Sequence, residues 1–591
     1  MLVGVPQFGE LDERDRRLMR LAEALGVVCQ AVPLEAAADP ASYLKQRVPE
    51  DCTCLVIHPR VFARWLKGRP LDRGATRKLV SGFTHVLVHG LRADDFDNAL
   101  VGALSGGSAK IEPMGNPLSQ YAVSLHAGPM AEAFAGETFG PVNSQNDRVI
   151  RFAPLALTVE ELILIDDRPF MARTRMGDTE VFFIAGDDVA DLDRVIDVVE
   201  VEAHFSRLLP HAMVLRHAAG AECWRPVNQY ASLVIDDPLL RMKYGYLNYE
   251  HALAQAKQWN FHIVTAFIPL NYRRSSADAA RIFRENADRL SICVHGNDHA
   301  HYEFASRDTG FLNASYRSAI WRTQQHFKLT GVRCDPVMVF PLEGYSEAAM
   351  RTAKLNNLEA VVCSTTRPME LKTGVTLGEL CRPAVVRYGG FPLFLRNSVA
   401  QMRRFDVAFR LFFGRPILIG EHHDIFKQTD RLLELVRTIN SMAPKIHWAN
   451  LATVTAGSML VRKANGKEHV RGHARTLNPA ALEESENPRV VEWAGFGDAD
   501  LLKAVEIDGK PASAFTVPGP EDRIAVEVPA GARQAALVYR SSPEAVPATG
   551  LRWRATMMAK RRLSEFRDNY LSKNERILAS AKAIQRRILN P

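Results

Sequence analysis

Residues 231–238 read ASLVIDDP and residues 290–301 read LSICVHGNDHAH. Each is an apolar run that stops at a polar cluster. The first ends in Asp236 and Asp237; the second ends in His295, with His299 four residues further on. Similar runs recur at 262–267, 337–340, 360–363 and 416–419. Helix-compatible stretches such as SADAARIFRENADRL and SEAAMRTAKLNN lie between them. Repeated strand–helix units across 225–450 predict an α/β fold built on a distorted β/α barrel. The polar clusters then fall just past the C-terminal ends of the strands, the edge where such folds assemble their sites.

Outward from this centre the pattern changes. Residues 1–150 read as an N-terminal α/β domain, with strand candidates at 1–5, 26–32, 54–57 and 85–89 and charged helical sequence such as DERDRRLMRLAEAL. Residues 151–224 read as a mixed, β-rich connecting region. Residues 451–484 read as a linker. Residues 485–545 carry short strands broken by Gly, Pro and Asp and predict a small β-sandwich, and 546–591 form a basic helical segment. Two features of the first half act as controls. ELILIDD ends in Asp166 and Asp167, and HVLVHG ends a run with His89. A strand that stops at Asp-Asp or at His is therefore not a signature by itself. LSGGSAKIEPMGNPLSQ has neither G-x-G-x-x-G after a strand nor a G-K-[ST] ending, so no nucleotide site is assigned to it.

At 591 residues the chain exceeds the size of a single core, and three or four domains are expected. Hydrophobic residues at 47% and charged residues at 24% are ordinary for folded protein. The net charge of +7, from 74 basic and 67 acidic residues, is mild for this length and argues against a nucleic-acid partner. Eight scattered cysteines show neither a disulfide framework nor zinc-finger spacing and read as reduced core thiols. The first residues lack the basic and apolar segments of an export signal, and no run has the length of a membrane span. The expectation is a cytoplasmic protein without integral membrane association.

The two opening clusters carry the chemistry. Adjacent side chains on a strand point to opposite faces, but the strand stops at Pro238, so the chain can turn and deliver both carboxylates to one cleft. One can hold a divalent cation while the other takes a proton from water. A helical turn after the second strand would put His295 and His299 on one face. Two imidazoles and a carboxylate leave a position open for water and substrate. Zinc is the first choice for that donor set; cobalt, nickel or iron would also suit it.

LVIDDP followed by CVHGNDH resembles the polysaccharide deacetylase family, the NodB-like carbohydrate esterases, over about residues 228–450. The resemblance implies that Asp236 is the base, that Asp237, His295 and His299 are the metal ligands, and that the substrate is an acetylated carbohydrate. Gly296 stands where the family usually has Ser or Thr. VFPLEGYSE resembles a segment that lines the family's groove, but it lacks the arginine that orients the catalytic aspartate; Arg333 and Arg367 are the candidate replacements. PILIGEHHDIF resembles the strand whose terminal histidine acts as general acid, with His422 preferred over His423. Tyr244, Tyr246 and Tyr249 are candidates for stacking on sugar rings or for packing. The alternatives are a glycoside hydrolase on a related barrel, which needs two opposed carboxyls, and a non-catalytic glycan-binding protein on a decayed deacetylase domain.

Overall fold

The computed structural model describes residues 2–6, 11–34, 46, 52–66, 73–114, 116, 119–143, 145–153, 158–300, 302–479, 487–496, 498, 501–516, 523–540 and 550–573. The central unit is a curled parallel sheet of β1 (Tyr230–Asp236), β2 (Ile263–Phe267), β3 (Leu290–His295), β4 (Cys334–Val339), β5 (Ala360–Cys363), β6 (Leu393–Leu395) and β7 (Ile417–His422). The order around it is β6-β5-β4-β3-β2-β1-β7, every pairing parallel. A single parallel bridge, Asn397 to Ile419, joins its two edges just past the end of β6. The result is a distorted seven-stranded barrel, drawn shut near the C-terminal ends of β6 and β7.

Strand parity decides which side chains enter this barrel. Val234, Val264, Cys293, Val339, Phe394 and Leu418 share one interior cluster, whereas Leu233, Ile235, Ile263 and Ile419 pack outward in another with helical residues such as Ala252 and Leu432. Because side chains alternate along a strand, Asp236 follows Val234, His295 follows Cys293, Arg396 follows Phe394 and His422 follows Leu418 onto the interior face. Burial on both faces explains the near-continuous apolar runs of the sequence. Each Val, Leu or Ile removed from water contributes roughly 1.5–3 kcal/mol, enough to keep the polar strand ends in register.

The flanking regions add three further sheets of size. In the first half, parallel strands Leu2–Pro6, Gln30–Leu34, Cys54–Ile57 and His85–Val88 continue into Thr179–Ile184, Arg168–Met176 and Glu160–Ile165, so much of the region read as connecting belongs to the N-terminal sheet. Asp166 and Asp167 form the tight turn of its hairpin, both at positive φ. The helix Phe205–Ala219 ties this sheet to the barrel; Arg216 donates to the Phe412 carbonyl at 2.6 Å. In the second half, the stretch read as a linker is structured. Leu451–Gly457 is a helix packed on the barrel, and Leu460–Ala464, Lys467–Gly472 and Thr476–Leu477 are strands. They pair with Arg489–Trp493 and Ala535–Tyr539, and the two sheets enclose one core around Trp493, so the sandwich begins about 25 residues earlier than composition suggested. The sequence pattern hid this because those strands are charged and short. No helix among the described residues is long and apolar enough to cross a membrane.

Candidate metal centre

Asp236 is the last residue of β1 and is buried. Both of its oxygens accept from Arg396, Oδ1 from Nη1 at 2.7 Å and Oδ2 from Nη2 at 2.5 Å. Arg396 is itself buried and follows β6. Gly420 on β7 makes room for it: a Cβ there would lie 2.6 Å from the arginine's Cδ. Neither sequence candidate reaches the site. Arg333 lies over the Phe327 ring, and Arg367 donates to the Lys372 carbonyl. Burial pushes the Asp236 carboxyl up, but Arg396, with smaller help from His295 and His422, outweighs it and holds the group below the ordinary carboxylate value.

Asp237 turns away from the strand at φ 79°, a left-handed conformation that costs a non-glycine residue about 1–3 kcal/mol and is concentrated at functional sites. The turn brings its carboxylate beside the two histidines. Oδ1 lies 3.1 Å from His299 Nε2 and 3.6 Å from His295 Nε2. The expected helical turn between the histidines is absent. Residues 296–300 form an irregular loop in which Gly296 and His299 both have positive φ, and this bend, rather than helical spacing, brings the rings to 5.0 Å between centroids. A Cβ at Gly296 would collide with Glu303 and Pro341, which accounts for glycine at this bend.

The loop is held from below. The Glu303 carboxylate accepts from the backbone N–H groups of Asn297 at 2.8 Å, Asp298 at 3.2 Å and His299 at 3.1 Å. Burial pushes Glu303 up to about 7. Arg322, on the helix Thr309–Thr330, donates to Asn297 Oδ1 at 2.8 Å and pairs with Asp298. His295 donates from Nδ1 to the Val339 carbonyl at 3.0 Å, leaving Nε2 as a lone-pair donor toward Asp237. Burial lowers His295 to about 4, so it is neutral near pH 7. Burial also opposes charge on His299, but Asp237 reverses the balance and raises it. Asp237 itself is held far below the usual range; burial works against this, and His299, His295 and Arg561 overcome it.

Asp237, His295 and His299 each offer a ligand atom within 4.8 Å of the others, and these residues could hold a divalent cation. Asp237 Oδ1 is buried between His299 Nε2, His295 Nε2 and Arg561, the setting a carboxylate ligand would have beside a cation. His85, Glu180 and His217 form a second such group. His85 and Glu180 stand at the starts of their strands and His217 on the helix Phe205–Ala219, and Glu180 Oε1 already accepts from Arg173 and Arg175 at 3.2 and 3.1 Å. An ion there would compete with two guanidiniums hydrogen-bonded to its one carboxylate, against the single Arg561 3.8 Å from Asp237 in the barrel group, so the barrel group is the better cation site.

His422 ends β7 opposite Asp236 in register and is exposed. His423 is buried and points off the strand. Its ring stacks on Tyr246, and its Nε2 lies 3.8 Å from Asp568. Tyr244 donates to Asp568 at 2.7 Å, and Tyr249 is buried against Thr265, so both are packing or positioning groups. His301 lies outside the described residues. Above the cleft runs the helix Leu551–Asn569, which brings Arg561 to within 3.8 Å of Asp237 Oδ1. Sequence reasoning missed Arg396, Glu303 and Arg322, and it gave the basic helical segment no contact with the centre. Only Arg396 had a usable signal: it ends the apolar run PLFLR at the same parity as the other site residues.

No family model matches the chain, and no curated protein matches it. Solved structures do. A family 4 carbohydrate esterase from Streptomyces lividans, in complex with acetate, is 14% identical over 39% of this chain and 96% of that one, with a TM-score of 0.24. The polysaccharide deacetylase of Bacillus cereus is 14% identical over 38% of this chain and 91% of its own, TM-score 0.23. A 4-alpha-glucanotransferase from Thermococcus litoralis is 12% identical over 38% of this chain and 40% of its own, TM-score 0.29. At such scores the likeness transfers neither activity nor substrate.

Proposed function

We propose that the protein is a metal-dependent hydrolase that removes acetyl groups from a carbohydrate, with an N-acetylated sugar as the first candidate. The observation that carries this reading is the division of labour between two adjacent carboxylates. Asp237 faces two imidazoles, and Asp236 is gripped by Arg396 at the same cleft. A divalent cation held by Asp237, His295 and His299 would supply Lewis acidity for an acyl carbonyl and for the attacking water; zinc suits the donors best.

The chain's own residues supply the proton traffic. Asp236 stays ionised and takes the proton of water as it attacks. Arg396 orients both of its oxygens and keeps it from swinging into the cation's place. His422 shares the interior parity of Asp236 and is open to solvent, so it is the preferred donor to a departing amine or alkoxide. His423 supports the wall instead. The arginine whose absence suggested a decayed site is replaced by Arg396, which weakens the non-catalytic alternative. A glycoside hydrolase needs two carboxyls opposed across the scissile bond, whereas here the second carboxylate, Asp237, faces two imidazoles. The test is acetate release from N-acetylated oligosaccharides and from an aryl acetate by the zinc-loaded protein. Asp236→Asn should bind zinc and release almost no acetate. Wild-type turnover by that variant would remove Asp236 as the base.

A further inference from the structure

Five polar residues and one apolar residue of the helix Leu551–Asn569 touch the centre and the barrel around it. Trp553 Nε1 donates to Asp298 Oδ2 at 2.8 Å. Arg561 lies 3.8 Å from Asp237 Oδ1, and its Nη2 lies 3.3 Å from His299 Nδ1. Glu565 pairs with Arg274 at 2.6 Å, Asp568 accepts from Tyr244, and Asn569 accepts from the Gly245 backbone N–H at 2.8 Å. Met557 is buried with Ile268 and Leu270. On its far side the same helix leaves Leu563, Phe566 and Tyr570 exposed. The seat is made mainly of ion pairs and hydrogen bonds, some of them buried, such as Arg274–Glu565 and Tyr244–Asp568, so its release depends on rehydrating those groups.

Arg561 is incompatible with a loaded centre for two independent reasons. A guanidinium only donates hydrogen bonds, so His299 Nδ1 must accept, and the ring proton of the neutral imidazole then sits on Nε2. That is the nitrogen facing Asp237 and the one a cation needs bare. Moving the proton to Nδ1 would set two donors against each other. Arg561 is also a cation beside Asp237 Oδ1, the carboxylate oxygen shared with both histidines. A divalent ion at that oxygen would repel it.

We propose that this helix is a displaceable cover over the centre, and that Arg561 and a divalent cation exclude one another. The proposal rests on reading Asp237, His295 and His299 as cation ligands. Cation binding would lift the cover and open the cleft to substrate; docking of the cover would weaken the cation. Such coupling is reciprocal. The experiment uses the full chain carrying His217→Ala, which removes the second ligand group, and measures zinc affinity by chelator competition. Arg561→Gln should bind zinc about tenfold tighter or more, and His295→Ala should not bind it. Amide exchange across 551–569, with and without zinc, reads the cover itself and needs no variant in the helix. Zinc should speed exchange there, and should not do so in His295→Ala. Equal or weaker affinity in Arg561→Gln, with exchange unmoved by zinc, would overturn the cover while leaving the ligand set intact. Zinc binding that survives His295→Ala would overturn the ligand set, and the cover with it.

Discussion

The chain ends two parallel strands with the same three letters, Val-His-Gly, at Val88–Gly90 and Val294–Gly296. Both glycines are left-handed, at φ 74° and 63°, and both histidines are buried. Their surroundings differ. His89 lies 3.1 Å from Asp15, and its ring faces His58 at 5.5 Å and His211 at 5.9 Å. Several of those nitrogens have no hydrogen-bond partner, yet among the described residues they do not form a group whose ligand atoms converge. His295 has a carbonyl behind it, a second histidine four residues on, and a carboxylate from the neighbouring region of the barrel at the same point. The difference teaches that a strand-terminal histidine becomes a candidate ligand through what the other strands deliver to it. Its own sequence context is nearly silent.

The sharpest way to break the comparison is to delete each histidine. His295→Ala should lose bound zinc, with affinity falling more than about 100-fold, and should lose hydrolysis. His89→Ala should keep zinc and activity but cost about 2–5 kcal/mol of stability through the cavity it leaves. Zinc analysis and denaturant unfolding on both variants check this. Zinc loss in the His89 variant would mean the two strand ends are not distinct.

Removing the arginine comes next. Arg396→Met strands the buried Asp236 carboxylate and should cost about 3–5 kcal/mol. Adding Asp236→Asn should restore part of that, since no charge is then left unpaired, while activity stays lost. A double-mutant cycle by chemical denaturation measures it.

The glycines give a smaller, matched pair. Gly90→Ala would push a Cβ to 2.6 Å from the His58 ring, and Gly296→Ala would push one into Glu303 and Pro341. Each should cost about 1–3 kcal/mol for its backbone conformation alone. Only Gly296→Ala should also weaken zinc, because it tilts the loop carrying His299. Unfolding and zinc titration separate the two effects.

The most gradual effect is in pH dependence. Burial, reinforced by the neighbouring His89, lowers His58 to about 4 and His211 to about 3. Between those values and about 6.5 the unfolded chain binds the additional protons. Stability is therefore complete above pH 6.5 and is lost as the pH falls through that window, by up to about 1.4 kcal/mol per pH unit for each histidine. Unfolding of His211→Leu between pH 5 and 7 should show a flatter slope than wild type.

Much of the barrel was legible because its strands are buried on both faces and read as unbroken apolar runs. Asp236, Asp237, His295 and His299 were legible as punctuation at the ends of those runs. The rest was hidden for stated reasons. Arg396 follows a strand of only three residues. The bend that joins His295 to His299 depends on Glu303, whose role is to accept three backbone N–H groups, a task invisible in a sequence. The strands at 460–477 carry as many charged residues as apolar ones. The cover makes its contacts across more than 250 residues of chain, where no local pattern can register.

That separation also has a consequence in time. The last helix of the barrel ends at Gly457, and Arg561 follows about 100 residues later. At roughly 5–20 residues per second of synthesis, the nascent barrel is complete for about 5–20 s before the cover exists. With Asp237, His295 and His299 as the proposed ligands, the centre would be assembled and open to ions while translation is still under way, and the order of the chain would set the order of loading before closure.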